Sequence, residues 1–393
     1  MKKSNLNTYF IFTLGCQMNI SDSQRIARVL ESCGLKPGSE KEADLIVVNA
    51  CSVRQSAVDR IYGKLKNWPG KKILITGCVL PHDKEKLAKK VDLIFAIKDL
   101  PKLPRLMGKR GIKTKDYFRI PPLFPNTYHL KLVNKCSAFV PIMTGCDNFC
   151  SYCAVPYTRG REISRPFNDI ISDIKQALKN GSKEILLLGQ NVNSYYKRSS
   201  VYNRKVDNRH FIKLLTTIDN LPGDFKFNFI SSNPHDMSNK LIKTLAKLKK
   251  WPRELHLPLQ SGDDEILRKM NRKYNRHQYL KLVANLKSQI PDLKLTTDII
   301  VGFPGETKEQ FNNTVKLCKK IGFKKAYIAQ YSPRPGTAAA KLKDDVPAKE
   351  KKRRWQLLNR LINKKRRPVR LMAANNNISN KFDSKKFGPS GNF

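Results

Sequence analysis

Residues 144–162 read TGCDNFCSYCAVPYTRGRE and carry three cysteines, Cys146, Cys150 and Cys153, in the spacing C-x3-C-x2-C. Cysteine sites for zinc or an iron–sulfur cluster commonly recruit four protein ligands, and no second C-x2-C pair is present. A [4Fe–4S] cluster on three thiolates keeps one iron open to a small chelating molecule. S-adenosylmethionine carries an amino and a carboxylate group on one carbon, which would chelate that iron. The spacing therefore predicts radical chemistry, in which one electron breaks a carbon–sulfur bond of this cofactor.

This cysteine loop follows the first of six apolar segments that we interpret as parallel strands of an α/β unit. The segments read FVPIMTGC, EILLLGQN, FKFNFISSNP, ELHLPLQSG, KLTTDIIVGFPG and KAYIAQYSP. Helical stretches such as NDIISDIKQALKNG separate them. Six β/α units are too few for a closed eight-stranded barrel and predict an open (β/α)6 partial barrel. Each segment ends in polar or glycine residues, which places the expected site at the carboxyl ends of the strands.

The first third of the chain predicts a doubly wound parallel sheet. Its four apolar segments read YFIFTLGC, DLIVVNAC, KILITGC and DLIFAI, and three of them end in a cysteine, namely Cys16, Cys51 and Cys78. Since the carboxyl ends of parallel strands share one edge, these cysteines predict a second metal site. The alternative is that they are buried as small apolar side chains. Cys33, Cys136 and Cys318 have no partner at ligand spacing and are expected to be structural.

The composition favours a polyanionic partner. Among 393 residues, 76 are Lys or Arg and 32 are Asp or Glu, a formal net charge of +44. Nucleic acid is the expected partner; codon bias alone should raise Glu along with Lys. Nine cysteines spread over a long chain favour metal binding in a reducing compartment over disulfides. The apolar run near the N-terminus is too short for a signal peptide, and no segment is long enough to span a membrane, so we expect a cytoplasmic protein.

Changes in composition divide the chain into five parts. We expect an N-terminal domain at 1–115, a proline-rich linker at 116–135 and the barrel at 136–340. A basic helical extension at 341–370 and a disordered tail at 371–393 follow.

Several motifs together identify a family resemblance. They read TLGCQMNISDSQRI, NACSVRQSA, GCV, CDNFCSYCAVPYTRGRE, LLLGQNVNSY, LPLQSGDDEILRKMNRKY, TTDIIVGFPGET and YSPRPGTAA. In this order, over about residues 9–340, the chain resembles the radical S-adenosylmethionine methylthiotransferases. GCQMN and GQNVNSY most resemble the branch that adds a methylthio group to C2 of N6-isopentenyladenosine at position 37 of tRNA.

The resemblance implies two [4Fe–4S] clusters. Cys146, Cys150 and Cys153 would hold the radical-generating cluster, and the N-terminal trio would hold an auxiliary cluster that carries the sulfur. One S-adenosylmethionine would methylate that sulfur, and a second would yield the radical that drives replacement of the adenine C2 hydrogen by the methylthio group. The implied partners are the tRNA anticodon stem–loop, an electron donor such as flavodoxin or ferredoxin, and sulfur-delivery machinery. A monomer is expected.

Other residues are candidates for contacts with S-adenosylmethionine or RNA. Tyr152 is either a platform for adenine or a core aromatic residue. Five polar residues end or follow barrel strands and either bind S-adenosylmethionine or cap loops: Gln190, Asn191, Ser231, Gln260 and Asp298. Gly302 and Gly305 are expected to serve a tight turn. Arg159 and Arg161 would bind RNA phosphate or S-adenosylmethionine, or else remain solvated.

One departure from the family leaves the function open at this point. Family members usually continue into a small β-barrel RNA-binding TRAM domain, for which no strand pattern follows the basic helix here. Either the basic surface and this helix bind the tRNA, or the activity is impaired. Three further functions are compatible with the motifs: a methylthiotransferase for N6-threonylcarbamoyladenosine or a ribosomal-protein aspartate, a non-catalytic iron–sulfur RNA-binding protein, and a zinc-binding RNA protein.

Overall fold

The computed structural model describes residues 6–51, 55–114, 137–196 and 208–364. The expected linker at 116–135, the structural role of Cys136, and the tail at 371–393 lie outside the described residues. Within these ranges, the helices lack the combination of length and apolar character that crossing a bilayer requires.

The N-terminal unit is a five-stranded parallel sheet in the spatial order β2-β1-β3-β4-β5. Its strands are β1 (Thr8–Thr13), β2 (Lys36–Pro37), β3 (Leu45–Cys51), β4 (Lys72–Cys78) and β5 (Leu93–Ile94). Its helices are α1 (Gln17–Ser32), α2 (Gln55–Leu65), α3 (Pro81–Ala88) and α4 (Leu103–Lys109), with a 3₁₀ helix at Ile97–Lys102. The sequence predicted four of the strands and missed β2, whose two residues carry no apolar pattern.

Alternating side chains of the central strand β3 pack into two separate apolar cores. Leu45 and Val47 pack on one face of the sheet, and Ile46 and Val48 pack on the other. All four are inaccessible to solvent. Burial on both faces explains why β3 reads as a continuous apolar run rather than an alternating one. The predicted doubly wound sheet is confirmed.

The second unit is an open barrel of six parallel strands, arranged as two three-stranded sheets in the orders β10-β9-β6 and β11-β12-β13. The six strands are β6 (Ser137–Pro141), β9 (Glu184–Leu188), β10 (Lys226–Phe229), β11 (Glu254–His256), β12 (Lys294–Val301) and β13 (Lys325–Gln330). A short antiparallel pair joins β7 (Met143–Thr144) to β8 (Ile163–Ser164). All six predicted strands are present, so the predicted open barrel is confirmed.

Eight helices of the described residues follow the barrel strands. They are α5 (Val155–Arg159), α6 (Phe167–Lys179), α7 (Arg209–Asp219), α8 (Asn239–Lys247), α9 (Asp264–Lys269), α10 (Arg276–Gln289), α11 (Lys308–Ile321) and α12 (Ala348–Ile362). Single 3₁₀ turns lie at Val192–Ser194, Pro234–Asp236 and Ala338–Lys341. Helix α11 shows how the sequence sets such a boundary. Thr307 and Gln310 form a capping box at its start, and Gly322 ends it in the left-handed conformation with φ of 70°.

The basic helix α12 packs against the barrel instead of projecting from it. Leu358 is fully buried in the barrel core, and the indole N–H of Trp355 donates to the carbonyl of Ile328 at 2.8 Å. Arg354 is 4% exposed and donates to the carboxylate of Glu306 at 2.7 Å. Lys351 is likewise buried and pairs with Asp344 at 2.6 Å. Part of the positive charge that we expected to bind RNA therefore stabilises the fold.

Replacement of Arg354 by alanine should lower the free energy of unfolding by about 3–5 kcal/mol, because it leaves the buried Glu306 carboxylate without its cation. The neighbouring Arg353 is the matched control. It is exposed and pairs only with Glu350 in the described residues. Arg353→Ala should cost less than about 1 kcal/mol in urea unfolding monitored by circular dichroism. Equal effects of the two changes would contradict the structural role of Arg354.

Candidate active site

The three N-terminal cysteines lie together at one edge of the first sheet. Cys51 and Cys78 are the last residues of β3 and β4 and are direct register partners. Cys16 differs from the sequence expectation, because β1 ends at Thr13 and Cys16 is the residue immediately before α1. The turn after β1 nevertheless returns Cys16 to the same edge.

Two glycines allow these cysteine-bearing turns to approach each other. Gly15 has a φ of 117°, and a Cβ there would come within 2.7 Å of Asn19 Oδ1 and 3.0 Å of Cys51 Cβ. Gly77 has a φ of 93°, and its Cβ would overlap the carbonyl oxygen of Ala50. Both positions therefore require glycine for the backbone angle and for space.

A buried asparagine pair fixes the position of Cys16. The Asn19 side-chain amide donates to Asn49 Oδ1 and to the carbonyl of Ala50, both at 3.0 Å. Asn49 in turn donates to the Asn19 carbonyl at 2.6 Å. The Cys16 thiol lies 3.4 Å from Asn19 Oδ1. Asn19 is the last residue of the GCQMN motif, which the sequence analysis used only as a family marker and not for this positioning role.

The barrel cysteines lie in the segment between β7 and β8, which the antiparallel pairing of these strands closes into a loop. Residues of the α9–α10 connection hold this loop. Ser151 donates from its backbone N–H to the Met270 carbonyl at 3.1 Å and from its hydroxyl to the Lys269 carbonyl at 2.7 Å. Arg272 donates to Cys150 Sγ at 3.3 Å. Sequence reasoning missed Arg272, although it lies in the quoted RKMNRKY motif.

Burial makes the thiolates of Cys78, Cys146 and Cys153 unfavourable. It raises the pKa of Cys146 to about 11 and also raises the pKa of Cys153. In the N-terminal trio, burial raises the pKa of Cys78, against an opposing effect of Arg159. A cationic partner is therefore needed to keep these sulfurs deprotonated, and the iron of a cluster would supply it. Soft thiolate donors in sets of three fit an iron–sulfur cluster.

Among the described residues, no three His, Cys, Asp or Glu side chains converge closely enough to hold a single metal ion. In an iron–sulfur cluster, each thiolate binds a different iron. The ligands of a cluster are accordingly spread more widely than those around one ion.

Several buried oxygens, most of them on residues just beyond the carboxyl ends of the barrel strands, have no hydrogen-bond partner among the described residues. They are Gln190 Oε1, Asn191 Oδ1, Ser232 Oγ, Gln260 Oε1 and Asp298 Oδ1. Buried polar atoms are normally paired, so this group points to a polar ligand. S-adenosylmethionine has an ammonium group, ribose hydroxyls and an adenine amine that can donate to such oxygens. The residues present therefore fit this cofactor.

Three of the predicted contact residues, Asp298, Ser231 and Gln260, have distinctive hydrogen bonds or backbone angles. Asp298 differs from the sequence expectation, because it lies inside β12 rather than at its end. It binds His256 Nε2 through one oxygen at 3.1 Å and leaves its other oxygen unpaired. At Ser231, the backbone is left-handed with φ of 67°, and the adjacent Ser232 supplies the unpaired hydroxyl that sequence reasoning missed. Gln260 is left-handed as well, also with φ of 67°. Such angles in residues other than glycine are concentrated at functional sites.

Tyr152 and the two glycines lie next to this region. Tyr152 packs against the buried cluster that contains Met270 and Phe303, so it has core contacts. Gly302 is in the left-handed region with φ of 70°, and its N–H donates to the Glu306 carboxylate at 2.6 Å. Gly305 is left-handed as well, with φ of 75°. These angles fit a tight turn.

Arg159, the last residue of α5, crosses from the barrel to the N-terminal sheet. It donates to Cys78 Sγ at 3.0 Å and to Asp22 Oδ2 of α1 at 2.9 Å. The Arg159 and Asp22 side chains are only 3% and 2% exposed. This placement differs from the expectation that Arg159 faces RNA phosphate or solvent, because Asp22 and a cysteine of the other domain already occupy its donors.

A second arginine also connects the barrel to the N-terminal unit. Arg334, which follows β13, donates to Gln55 Oε1 at 2.8 Å and pairs with Asp83 of α3 at 3.3 Å. Arg161 differs from both, since its side chain is 66% exposed and pairs with Asp147. Two buried arginines thus connect the barrel to the cysteine edge of the first sheet.

Comparison with known proteins identifies the family. The profile of the Radical SAM superfamily matches residues 140–318, and that of "Uncharacterized protein family UPF0004" matches residues 8–97. A tRNA-2-methylthio-N(6)-dimethylallyladenosine synthase of Syntrophomonas wolfei is 42% identical over 90% of this chain and 81% of that protein. The protein of the same description from Caldicellulosiruptor saccharolyticus is 43% identical over 92% of this chain and 79% of its own length.

A solved structure shares the fold. It is the radical S-adenosylmethionine methyltransferase TsrM from Kitasatospora setae, with a TM-score of 0.62, 13% identity, and coverage of 85% of this chain and 75% of that chain. The match to the Radical SAM superfamily, together with the cysteine loop, defines the class as radical S-adenosylmethionine enzymes. Within that class, the chain belongs to the family of the tRNA-2-methylthio-N(6)-dimethylallyladenosine synthases. The resemblance seen in the motifs is confirmed.

The contact between Arg159 and Asp22 should behave as a buried, coupled pair. Arg159→Ala and Asp22→Ala should each lower the free energy of unfolding by about 3–5 kcal/mol, because each removes the buried opposite charge that lies against the remaining side chain. The double variant should lose clearly less than the sum of the two. Anaerobic denaturant unfolding of the cluster-loaded protein measures all three.

Arg25→Ala is the control for this cycle, since Arg25 contacts the same carboxylate at 3.4 Å but its side chain is 25% exposed. It should cost about 1 kcal/mol or less. Additive losses for the Arg159 and Asp22 changes would show that the two side chains are not coupled.

Proposed function

We propose that this protein adds a methylthio group to C2 of N6-isopentenyladenosine next to the anticodon of tRNA. The supporting observation is that the short segment that carries the barrel trio also contacts the N-terminal trio. Arg159 lies six residues after Cys153 of the barrel trio and donates to Cys78 of the N-terminal trio. A reaction that uses a radical at one site and a sulfur at the other requires this proximity.

The residues of each trio have a defined task in this proposal. Cys146, Cys150 and Cys153 hold one [4Fe–4S] cluster, and Cys16, Cys51 and Cys78 hold the other. Together with S-adenosylmethionine, the bound clusters supply the radical that removes the C2 hydrogen and the methylated sulfur that replaces it. Arg272 beside Cys150 and Arg159 beside Cys78 orient the sulfurs and offset the negative charge of the thiolates.

The unpaired oxygens of the barrel rim orient S-adenosylmethionine. Asp298 is held by His256 and presents its second oxygen to a donor of the ligand. The amide oxygens of Gln190, Asn191 and Gln260 accept hydrogen bonds from the remaining ligand donors. The left-handed backbone at Ser231 and Gln260 lies in the same segments as the unpaired oxygens of Ser232 and Gln260.

The remaining partners follow from the chemistry. The target base must leave its stack to reach the radical, and a chain of net charge +44 attracts the phosphates around it. Reduction of the barrel cluster requires a one-electron donor such as flavodoxin or ferredoxin, and each turnover consumes a sulfur that delivery machinery must replace. The proposed compartment is the cytoplasm and the proposed state is a monomer. The descriptions of the relatives favour the isopentenyl substrate over threonylcarbamoyladenosine.

Mass spectrometry of tRNA nucleosides tests the reaction. The protein is expressed in a bacterial host that makes isopentenyladenosine but lacks its own methylthiolating enzyme. We expect the 2-methylthio derivative to appear with the wild-type chain and to disappear with Cys150→Ala or Cys51→Ala. Each of these changes removes one ligand from one trio.

Cys318→Ala is the matched control, because Cys318 is a buried cysteine of the barrel core. It should retain the product. A methylthio mark found only on threonylcarbamoyladenosine would contradict the substrate. Absence of any mark from a protein that carries both clusters would contradict the reaction.

A further inference from the structure

Three exposed side chains cluster beside the barrel cysteines. Phe149 is 37% exposed and Tyr157 is 44% exposed, and their rings meet edge to face with centroids 6.3 Å apart. The Arg161 guanidinium lies 5.1 Å from the centroid of Phe149. Single exposed apolar residues are common on protein surfaces, but a contiguous aromatic group with an arginine is typical of a binding site. We refer to Phe149, Tyr157 and Arg161 as the aromatic platform.

The conformation of Phe149 is strained and held from outside its loop. Its φ of 46° lies in the left-handed region, which is unfavourable for a bulky side chain. The Asn271 side-chain amide donates to the carbonyls of Phe149 at 2.9 Å and Asn148 at 3.3 Å. The strained turn therefore presents the ring to solvent directly before Cys150, where burial would be the ordinary outcome for phenylalanine.

We propose that the aromatic platform stacks an unpaired base of the anticodon loop, next to the nucleotide that enters the site. Aromatic faces and arginine planes stack on bases that have left a helix, and this is a common way for proteins to hold single-stranded RNA. The inference rests on the proposed tRNA substrate and adds the site that receives the neighbouring base. Stacking there fixes the loop while the target nucleotide turns towards the cysteine trios.

The charge of the chain favours RNA over an apolar protein partner. The net charge of +44 favours a polyanion, and Arg161 adds a cation to the rim of the platform. Asp147 Oδ1 lies 3.0 Å from Arg161 Nε in an ion pair and holds the guanidinium next to the Phe149 ring. The guanidinium is thereby preoriented for stacking, while two-thirds of the side chain remains exposed.

The test measures binding of a fluorescent anticodon stem–loop RNA that contains isopentenyladenosine, by anaerobic anisotropy with the cluster-loaded protein. Phe149→Leu and Tyr157→Leu keep an apolar side chain but lose the π-face, and each should weaken binding at least about fivefold. Phe149→Tyr and Tyr157→Phe keep the ring and should bind within about twofold of wild type. Iron content per chain is measured for every variant, so that protein of equal cluster load is compared.

Ile163→Ala is the surface control, because Ile163 is an exposed aliphatic residue of β8, 65% accessible. It should leave RNA affinity unchanged. A stem–loop with an abasic nucleotide beside the target should bind wild type as weakly as the intact RNA binds Phe149→Leu. That variant should lose no further affinity for the abasic RNA.

The outcomes separate this inference from the proposed function. Tight binding by wild type, with equal affinity for the leucine variants, would overturn the platform and leave the substrate assignment intact. No binding of RNA by wild type would overturn both. Binding of an aspartate-containing peptide that depends on Phe149, without RNA binding, would overturn the platform as an RNA site in favour of a protein partner.

Discussion

The buried contact of Arg159 with Asp22 and Cys78 sets the geometry on which the site depends. A guanidinium this deeply buried is stable only with a carboxylate or thiolate partner, and here it has both, from two elements of the N-terminal unit. Because Arg159 ends the helix that follows the barrel cysteines, its position ties that loop to the edge of the first sheet. Arg334 repeats this arrangement with Asp83. Two buried arginines thus connect the units that carry the two cysteine trios.

Around this junction, several residues have unusual backbone angles or unpaired buried oxygens, and these residues lie where a ligand is expected. Glycines stand where a Cβ would separate Cys16 from Cys51, left-handed backbone occurs at Ser231 and Gln260, and buried oxygens remain unpaired at the barrel rim. Each feature is unfavourable in an empty protein. In α11, by contrast, the capping box and the glycine end agree with local sequence preferences.

Strand patterns predicted the main parallel strands of both units, because buried parallel strands carry long apolar runs and end at a common edge. The same logic grouped Cys51 with Cys78. It could not show that Cys16 lies beyond its strand, since turn geometry depends on Gly15 and Asn19. Nor could it place Arg159, Arg272 or Ser232. From the sequence alone, an arginine on a short helix is interpreted as an exposed surface charge, because its partners are visible only in the tertiary structure. For the same reason, the sequence of α12 predicted a basic helical extension that binds RNA, although Arg354 and Lys351 are buried in ion pairs.

The central claim is that the two trios hold two clusters that face each other across the junction of the units. Electron paramagnetic resonance of the protein with both clusters reduced tests it most directly. Variants in which one trio is replaced by alanines give the spectrum of each cluster alone. We expect the doubly reduced wild type to show broadening from spin–spin interaction that the sum of the two single spectra lacks. A wild-type spectrum equal to that sum would contradict the facing arrangement.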